Sequence, residues 1–195
     1  MILQSLSDNV RRVSQFSGRS APALFWPYAI CVVVIAMASI ALVMIPELLR
    51  SFGKAQAFAE AHPDKVTITS SPGHYSIQIH ENIPGLMPDM TSLAYSMGVV
   101  IALAAIFLAA AVARRLHDRG KSGWWGIMPL PFALFSTFAM PGVFRSVEAG
   151  QPDMGAFFAV FLSNAAYLAG LVFLVVLLLG KSDPVANRYG AGATQ

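Results

Sequence analysis

His117 and Asp118 stand side by side in the stretch ARRLHDRGKSGWWG, Ala113 to Gly126, with Arg114, Arg115, Arg119 and Lys121 around them and Trp124 and Trp125 just beyond. An imidazole beside a carboxylate is material for a proton relay. Neighbouring residues on a helix point about 100° apart, however, so these two would not bond each other. No nucleophile or metal partner accompanies them either. The simpler expectation places His117 at a membrane surface, with Asp118 neutralising the arginines next to it. The same stretch spells RGKSG, which suggests a phosphate loop. That pattern needs a glycine five residues before Gly120, where Arg115 stands, and a strand leading into it. Both are missing, so nucleotide hydrolysis is not expected.

Two other groups could carry chemistry. His62, His74 and His80 fall in one polar segment, but two imidazoles along a strand need a third ligand and a closed geometry to hold zinc. A solvated strand face is expected instead. Asn164, flanked by Ser163 and Tyr167, lies inside an apolar run. There it could line a solute path or bond across helices. No Asp, Glu, Lys, Arg or His falls inside any of the four apolar runs, which weighs against a proton- or ion-coupled pump. No cofactor or metal is expected.

The elements that must position these residues follow from the apolar runs. Of 195 residues, 56% are hydrophobic and only 12% charged, half the usual charged share of a globular domain. Mean hydropathy is +0.61. Four runs meet the length of about 20 residues that a bilayer core requires: 24–45, 91–113, 124–144 and 157–180. The third contains Pro129, Pro131 and Pro141, so it is expected as a kinked span or a paired short segment. The first is too long for a signal-peptide core and reads as an uncleaved anchor. The single cysteine, Cys31, lies within it and excludes an intrachain disulfide. The expected fold is an all-α membrane protein of one domain, four transmembrane helices with a small extracytoplasmic β-hairpin insertion over 46–90.

Basic residues mark cytoplasmic loops. Arg11, Arg12, Arg19, Arg114, Arg115, Arg119, Lys121, Lys181 and Arg188 fall on the side of the termini and the middle loop, leaving Arg50, Lys54, Lys65 and Arg145 opposite. Acidic residues are distributed the other way, with only Asp8, Asp118 and Asp183 on the first side. Both termini are therefore expected in the cytoplasm. In the first outer loop, Pro46 suits the start of a short amphipathic helix bearing Leu48, Leu49, Phe52 and Ala59. The segment KVTITSSPGHYSIQIHEN then alternates with period two about Ser71-Pro72-Gly73, the pattern of a hairpin. Val66 and Ile68 would share one side with Tyr75, Ile77 and Ile79; His74, Ser76, Gln78 and His80 would form the other. A lone hairpin is marginal in water, so it should rest on the helix or the membrane. The second outer loop, 145–156, reads as plain connection.

Arginines from three segments could converge at the cytoplasmic end, where Gly18, Gly120, Gly123 and Gly190 permit tight turns. Guanidinium forks there would suit the phosphate of an anionic head group. Arg19, Arg114, Arg115, Arg119 and Arg188 would make the charge contacts, while Trp124 and Trp125 set the depth. The alternative is that the same residues express only the topology rule and an aromatic belt. The expected partners are membrane lipids rather than nucleic acid. Helix association is also expected through the small-residue faces Ala105, Ala109, Ala113 and Ala166, Gly170.

Three of these stretches resemble family 805 of domains of unknown function, small bacterial inner-membrane proteins. The carrying elements are Phe16-Ser17-Gly18-Arg19 ahead of Phe25-Trp26, the central run Arg114 to Trp125, and Asn187-Arg188-Tyr189-Gly190. Pro22 and Ala23 stand where the family often has a second basic residue, and the first outer loop is longer than the family's. The resemblance implies a polytopic membrane protein and carries no catalytic residue across. The leading expectation is a non-enzymatic membrane protein with a basic site for anionic lipid or an acidic partner. A small-solute permease or channel subunit using Asn164 and the proline-broken third span comes second, and a lipid enzyme using His117 and Asp118 third. A topology reporter inserted at Lys121 should read cytoplasmic; a signal from the opposite side would overturn the orientation.

Overall fold

The computed structural model describes every residue except 1, 72, 80–82, 84, 87 and 192–195, and gives 70, 74 and 75 by their backbone alone. The described residues form five α-helices, two short 3-10 turns and one hairpin. Helix α1 spans Ile2–Arg11, α2 Pro22–Ala61, α3 Met90–Asp118, α4 Leu130–Glu148 and α5 Met154–Leu179; strands β1 and β2 span Val66–Ser71 and His74–Ile79. Four helical stretches, three of them α2, α3 and α5 and the fourth Gly123–Glu148, are long and apolar enough to cross a membrane. No more than 22% of any of their apolar windows is buried within the protein. The remaining apolar surface, including Val99, Leu103, Ile106, Val172 and Val176, needs a non-aqueous medium or another protein to cover it.

Proline positions explain where the helices start and how they run. Pro22 occupies the first turn of α2, where its missing N–H costs nothing. Pro46 does not begin a separate helix, as its type suggested. It lies inside α2, which continues unbroken for 40 residues, about 60 Å. Pro46 removes one backbone bond, and the helix formers Met44, Glu47, Leu48 and Leu49 around it carry the helix through. The third apolar stretch resolves in a similar way. A 3-10 turn covers Gly123–Ile127, and Pro129 and Pro131 flank the start of α4 rather than interrupting it, leaving only Pro141 inside. Asp89 and Asp153 cap α3 and α5 through backbone N–H groups of Ser92 and Ala156, each at 2.9 Å.

The expected hairpin forms, with Val66 opposite Ile79 and Ile68 opposite Ile77 and Gly73 at φ +78° in its turn. It rests against α2. Pro72 of the turn and His80 of the polar face lie outside the described residues, as does the side chain of His74. His62 stacks on Phe58 with ring centroids 4.4 Å apart.

The helices pack in sequence, α2 on α3, α3 on α4 and α4 on α5. The largest core cluster joins Phe25, Tyr28 and Ala29 of α2, Ala111 and Leu116 of α3, and Leu174 and Leu178 of α5. Tyr28 Oη donates to the Phe107 carbonyl at 2.9 Å, tying α2 to α3. This core lies at the end of the bundle where α3 finishes and where the segments before α2 and after α5 meet. Helix α3 runs past the apolar run to Asp118, so Arg114 to Asp118 are helical rather than part of a loop.

Candidate functional site

Asp118 is the last residue of α3, and its side chain is completely buried. A carboxylate there faces the negative pole of the helix dipole and has lost its water. Two guanidiniums offset this: Arg19 Nε at 3.0 Å from Oδ1 and Arg115 Nη1 at 2.5 Å from Oδ2. Ser182 Oγ donates to Oδ2 as well. The Asp118 carbonyl accepts from the Asp183 amide at 2.9 Å and from Arg19 Nη2 at 3.2 Å. One residue thus binds the segment before α2 and the segment after α5.

The neighbouring arginines serve helix ends. The last carbonyls of a helix lack intrahelical donors, and cations are favoured beside them. Arg115 Nε donates to Leu178 at 3.0 Å and its Nη2 to Gly180 at 2.5 Å, while Arg119 Nη1 donates to Leu177 and to Val176 at 3.3 Å. Together they cap α5. A side chain at Gly180 would displace the Arg119 guanidinium from its present position. Arg114 holds α1 and the turn that follows it. Its Nη1 donates to the carbonyls of Arg12, at 2.7 Å, and Gln15, and its Nη2 to Asn9 Oδ1 at 2.8 Å. Arg114 Nε is buried without a partner. Burial lowers both Arg114 and Arg115 from the usual guanidinium range, partly offset for Arg115 by Asp118. Both stay charged, since arginine does not deprotonate in proteins.

The carboxyl-terminal segment closes the arrangement. Arg19 Nη1 donates to Val185 at 2.9 Å and its Nη2 to Asp183. Asn187 Nδ2 donates to the His117 carbonyl at 3.1 Å, and Asn187 pairs with Gly190 through both backbone groups. Tyr189 lies flat on the His117 ring, centroids 3.8 Å apart and planes 7° apart. His117 Nδ1 donates to the Gly18 carbonyl at 3.3 Å, which fixes the tautomer. The three stretches singled out in the sequence therefore form one clasp: F-S-G-R supplies Gly18 and Arg19, R-R-L-H-D supplies the centre, and N-R-Y-G folds over it.

Of the expected site residues, Arg19, Arg114, Arg115 and Arg119 do converge, but they turn inward onto carbonyls and Asp118. Arg188 stays exposed, its guanidinium 4.8 Å above the Tyr189 ring. Trp124 is 77% exposed, and Trp125 sets its edge against Phe173 while remaining 44% exposed. Gly120 turns the chain after α3 at φ +64°, whereas Gly123 has ordinary backbone and is needed for contact, its missing Cβ standing 3.0 Å from that of Ala113. Asn164 donates to Val160 in its own helix and borders an open apolar depression beside Met140, Val143 and Phe157. Ser163 bonds the Phe132 carbonyl and ties α5 to α4. Among the described residues no group of three or more His, Cys, Asp or Glu is placed to hold a metal ion. Sequence reasoning missed Asn9 and Ser182 as members of the clasp. Their only local signal was polarity beside charged stretches.

Removing one partner of a buried pair leaves an uncompensated charge and costs about 3–5 kcal/mol. Asp118→Asn should therefore lower the melting temperature in detergent sharply and open residues 181–190 to protease. Asp8→Asn breaks an ion pair whose partners are about a third exposed, and should change stability by less than about 1 kcal/mol. Equal effects would show that the clasp adds nothing. His117 offers a second test. Burial holds its imidazole below the usual range; the Gly18 bond opposes this and Arg188 adds to it. A histidine lowered in the folded state contributes stability that is complete above the unfolded value of about 6.5 and is lost as pH falls through it. His117→Phe keeps the ring stack and should flatten the fall in melting temperature between about pH 7.5 and 5.5; an unchanged profile would exclude His117 as its source.

A family model described as protein of unknown function (DUF805) matches residues 13–191. No curated protein and no solved structure matches the chain. The matched span takes in all three clasp segments, from Phe16 through Gly190, so the stretches that resemble the family are the ones that touch in space. The chain belongs to the DUF805 family of proteins of unknown function.

Proposed function

We propose that this chain is a non-enzymatic, multi-pass protein of the bacterial inner membrane, with both termini in the cytoplasm and an anionic phospholipid bound at its cytoplasmic end. Family membership and four apolar helices fit an integral membrane protein. The cytoplasmic assignment rests on the excess of Lys and Arg at the clasp end. What remains outside the clasp carries the lipid reading. Lys121, Lys181 and Arg188 are exposed on segments that meet around Gly120, Asp183 and Asn187. None of the three forms an ion pair among the described residues. Trp124, three residues after Lys121, projects outward as an interfacial anchor would.

The charge contacts thus shift from the arginines that the sequence favoured to three exposed cations, of which only Arg188 is shared. Arg19, Arg114, Arg115 and Arg119 act instead as the scaffold that presents them. A basic residue near an anionic surface contributes about 1 kcal/mol, so three contribute an affinity factor on the order of 10². Lys121→Gln, Lys181→Gln and Arg188→Gln combined should reduce binding to phosphatidylglycerol nanodiscs by about that factor while leaving the melting temperature unchanged. Unaltered lipid binding by the folded triple variant would sink the proposal.

A further inference from the structure

Helix α1 presents the polar Ser5 and Asn9 to the protein and leaves three of its apolar residues, Ile2, Leu3 and Val10, exposed. Ser5 and Asn9, four apart and both buried, form its docked face: Ser5 Oγ donates to the Leu24 carbonyl at 2.5 Å and Asn9 Nδ2 to the same carbonyl at 2.9 Å. Arg114 then holds Asn9 and the carbonyls beyond the helix end. At about 100° per residue, Ile2, Leu6, Val10 and Leu3 fill one continuous arc beside that docked face. Gln4, Ser7 and Arg11 fill the remaining side and are exposed. Leu6 touches the core, but Ile2, Leu3 and Val10 are 59%, 82% and 55% exposed. A helix dissolved in water and packed on its own protein would turn these residues inward. Here Ser5 and Asn9 occupy that position.

What covers the arc follows from where α1 is fastened. Leu24 begins the apolar run 24–45, so α1 sits at the level where the hydrocarbon-facing surface of α2 begins. A second copy of the chain is a poor fit: three side chains offer far less than the roughly 800 Å² per partner of a stable interface.

We propose that α1 lies in the plane of the membrane surface. Ile2, Leu3 and Val10 enter the acyl boundary, and Gln4, Ser7 and Arg11 face water, the arrangement of an interfacial amphipathic helix. Arg114 couples this lipid-immersed helix to the end of α3. The inference needs the four helices to span the bilayer, but not the head-group binding proposed above.

The test uses the full chain with Cys31→Ser, reconstituted in phosphatidylcholine–phosphatidylglycerol vesicles, with single nitroxide labels on cysteines placed at Leu3, Val10, Gln4, Ser7 or Val172. Labels at Leu3 and Val10 should collide with dissolved oxygen and be shielded from a water-soluble nickel chelate; labels at Gln4 and Ser7 should show the reverse. Equal chelate access at Leu3 and Ser7 would place α1 in water and overturn the inference. Shielding of Leu3 and Val10 from both reagents, with spin–spin broadening, would overturn it in favour of a second copy. Val172, on the exposed face of α5, should be oxygen-accessible. Chelate access there would overturn the span reading and this inference with it, whereas failure at Leu3 alone concerns α1 only.

Discussion

A carboxylate without water at the negative end of a helix dipole is the constraint on which this structure depends. Asp118 has no solvent exposure and sits on the last turn of α3. Desolvating an ion of this kind costs several kcal/mol even after relaxation, so it persists only where partners surround it. Arg19 and Arg115 supply charge, and Ser182 supplies a further donor. Because these partners come from before α2, within α3 and after α5, satisfying one carboxylate fixes three distant parts of the chain. The buried charge specifies which segments meet.

The bundle has reason to use such a device. Within lipid, apolar side chains gain little by leaving one apolar medium for another, so helix association relies on close packing and polar bonds. The spans here bury little of themselves, and their largest core lies next to the clasp. Arg115 and Arg119 fasten the end of α5 through carbonyls that would otherwise lack donors, and Arg114 holds the turn after α1. Gly98 contributes by packing instead: a Cβ there would stand 2.5 Å from Thr137 Cγ2, so α3 and α4 approach closely at that level. The charged fasteners gather at one end, while Ser163 supplies a polar bond from α5 to α4 farther along the bundle.

The cations at the clasp end divide into an inward and an outward set. A guanidinium with several donors in a planar fork suits carbonyls held at fixed positions, and the four inward arginines are used that way. Lys121 and Lys181, two of the exposed cations, carry a compact, strongly hydrated charge. His117 and Asp118, adjacent in sequence, serve different neighbours: one ring stacks on Tyr189 and one carboxylate binds arginines. Their adjacency reflects two structural duties on successive helix positions.

Local chemistry made four apolar helices and a two-strand hairpin legible from sequence, because apolar length, period-two alternation and the Ser71–Gly73 turn each act over a few residues. The same locality explains two misreadings. Pro46 looks like a helix start, yet the strong helix formers beside it let α2 continue. Pro129 and Pro131 look like breaks within a span, yet they mark its helical beginning. Charge counting likewise gathered the arginines at one end of the molecule. It could not say which of them face inward, because an arginine's partner is set by whichever carbonyl or carboxylate the fold brings within reach. Asp118 meets Arg19 from 99 positions away, and Asn9 meets Arg114 from 105. Sequence alone determined the segments and their polarity; only the tertiary structure decided which polar groups were spent on one another and which remained outside.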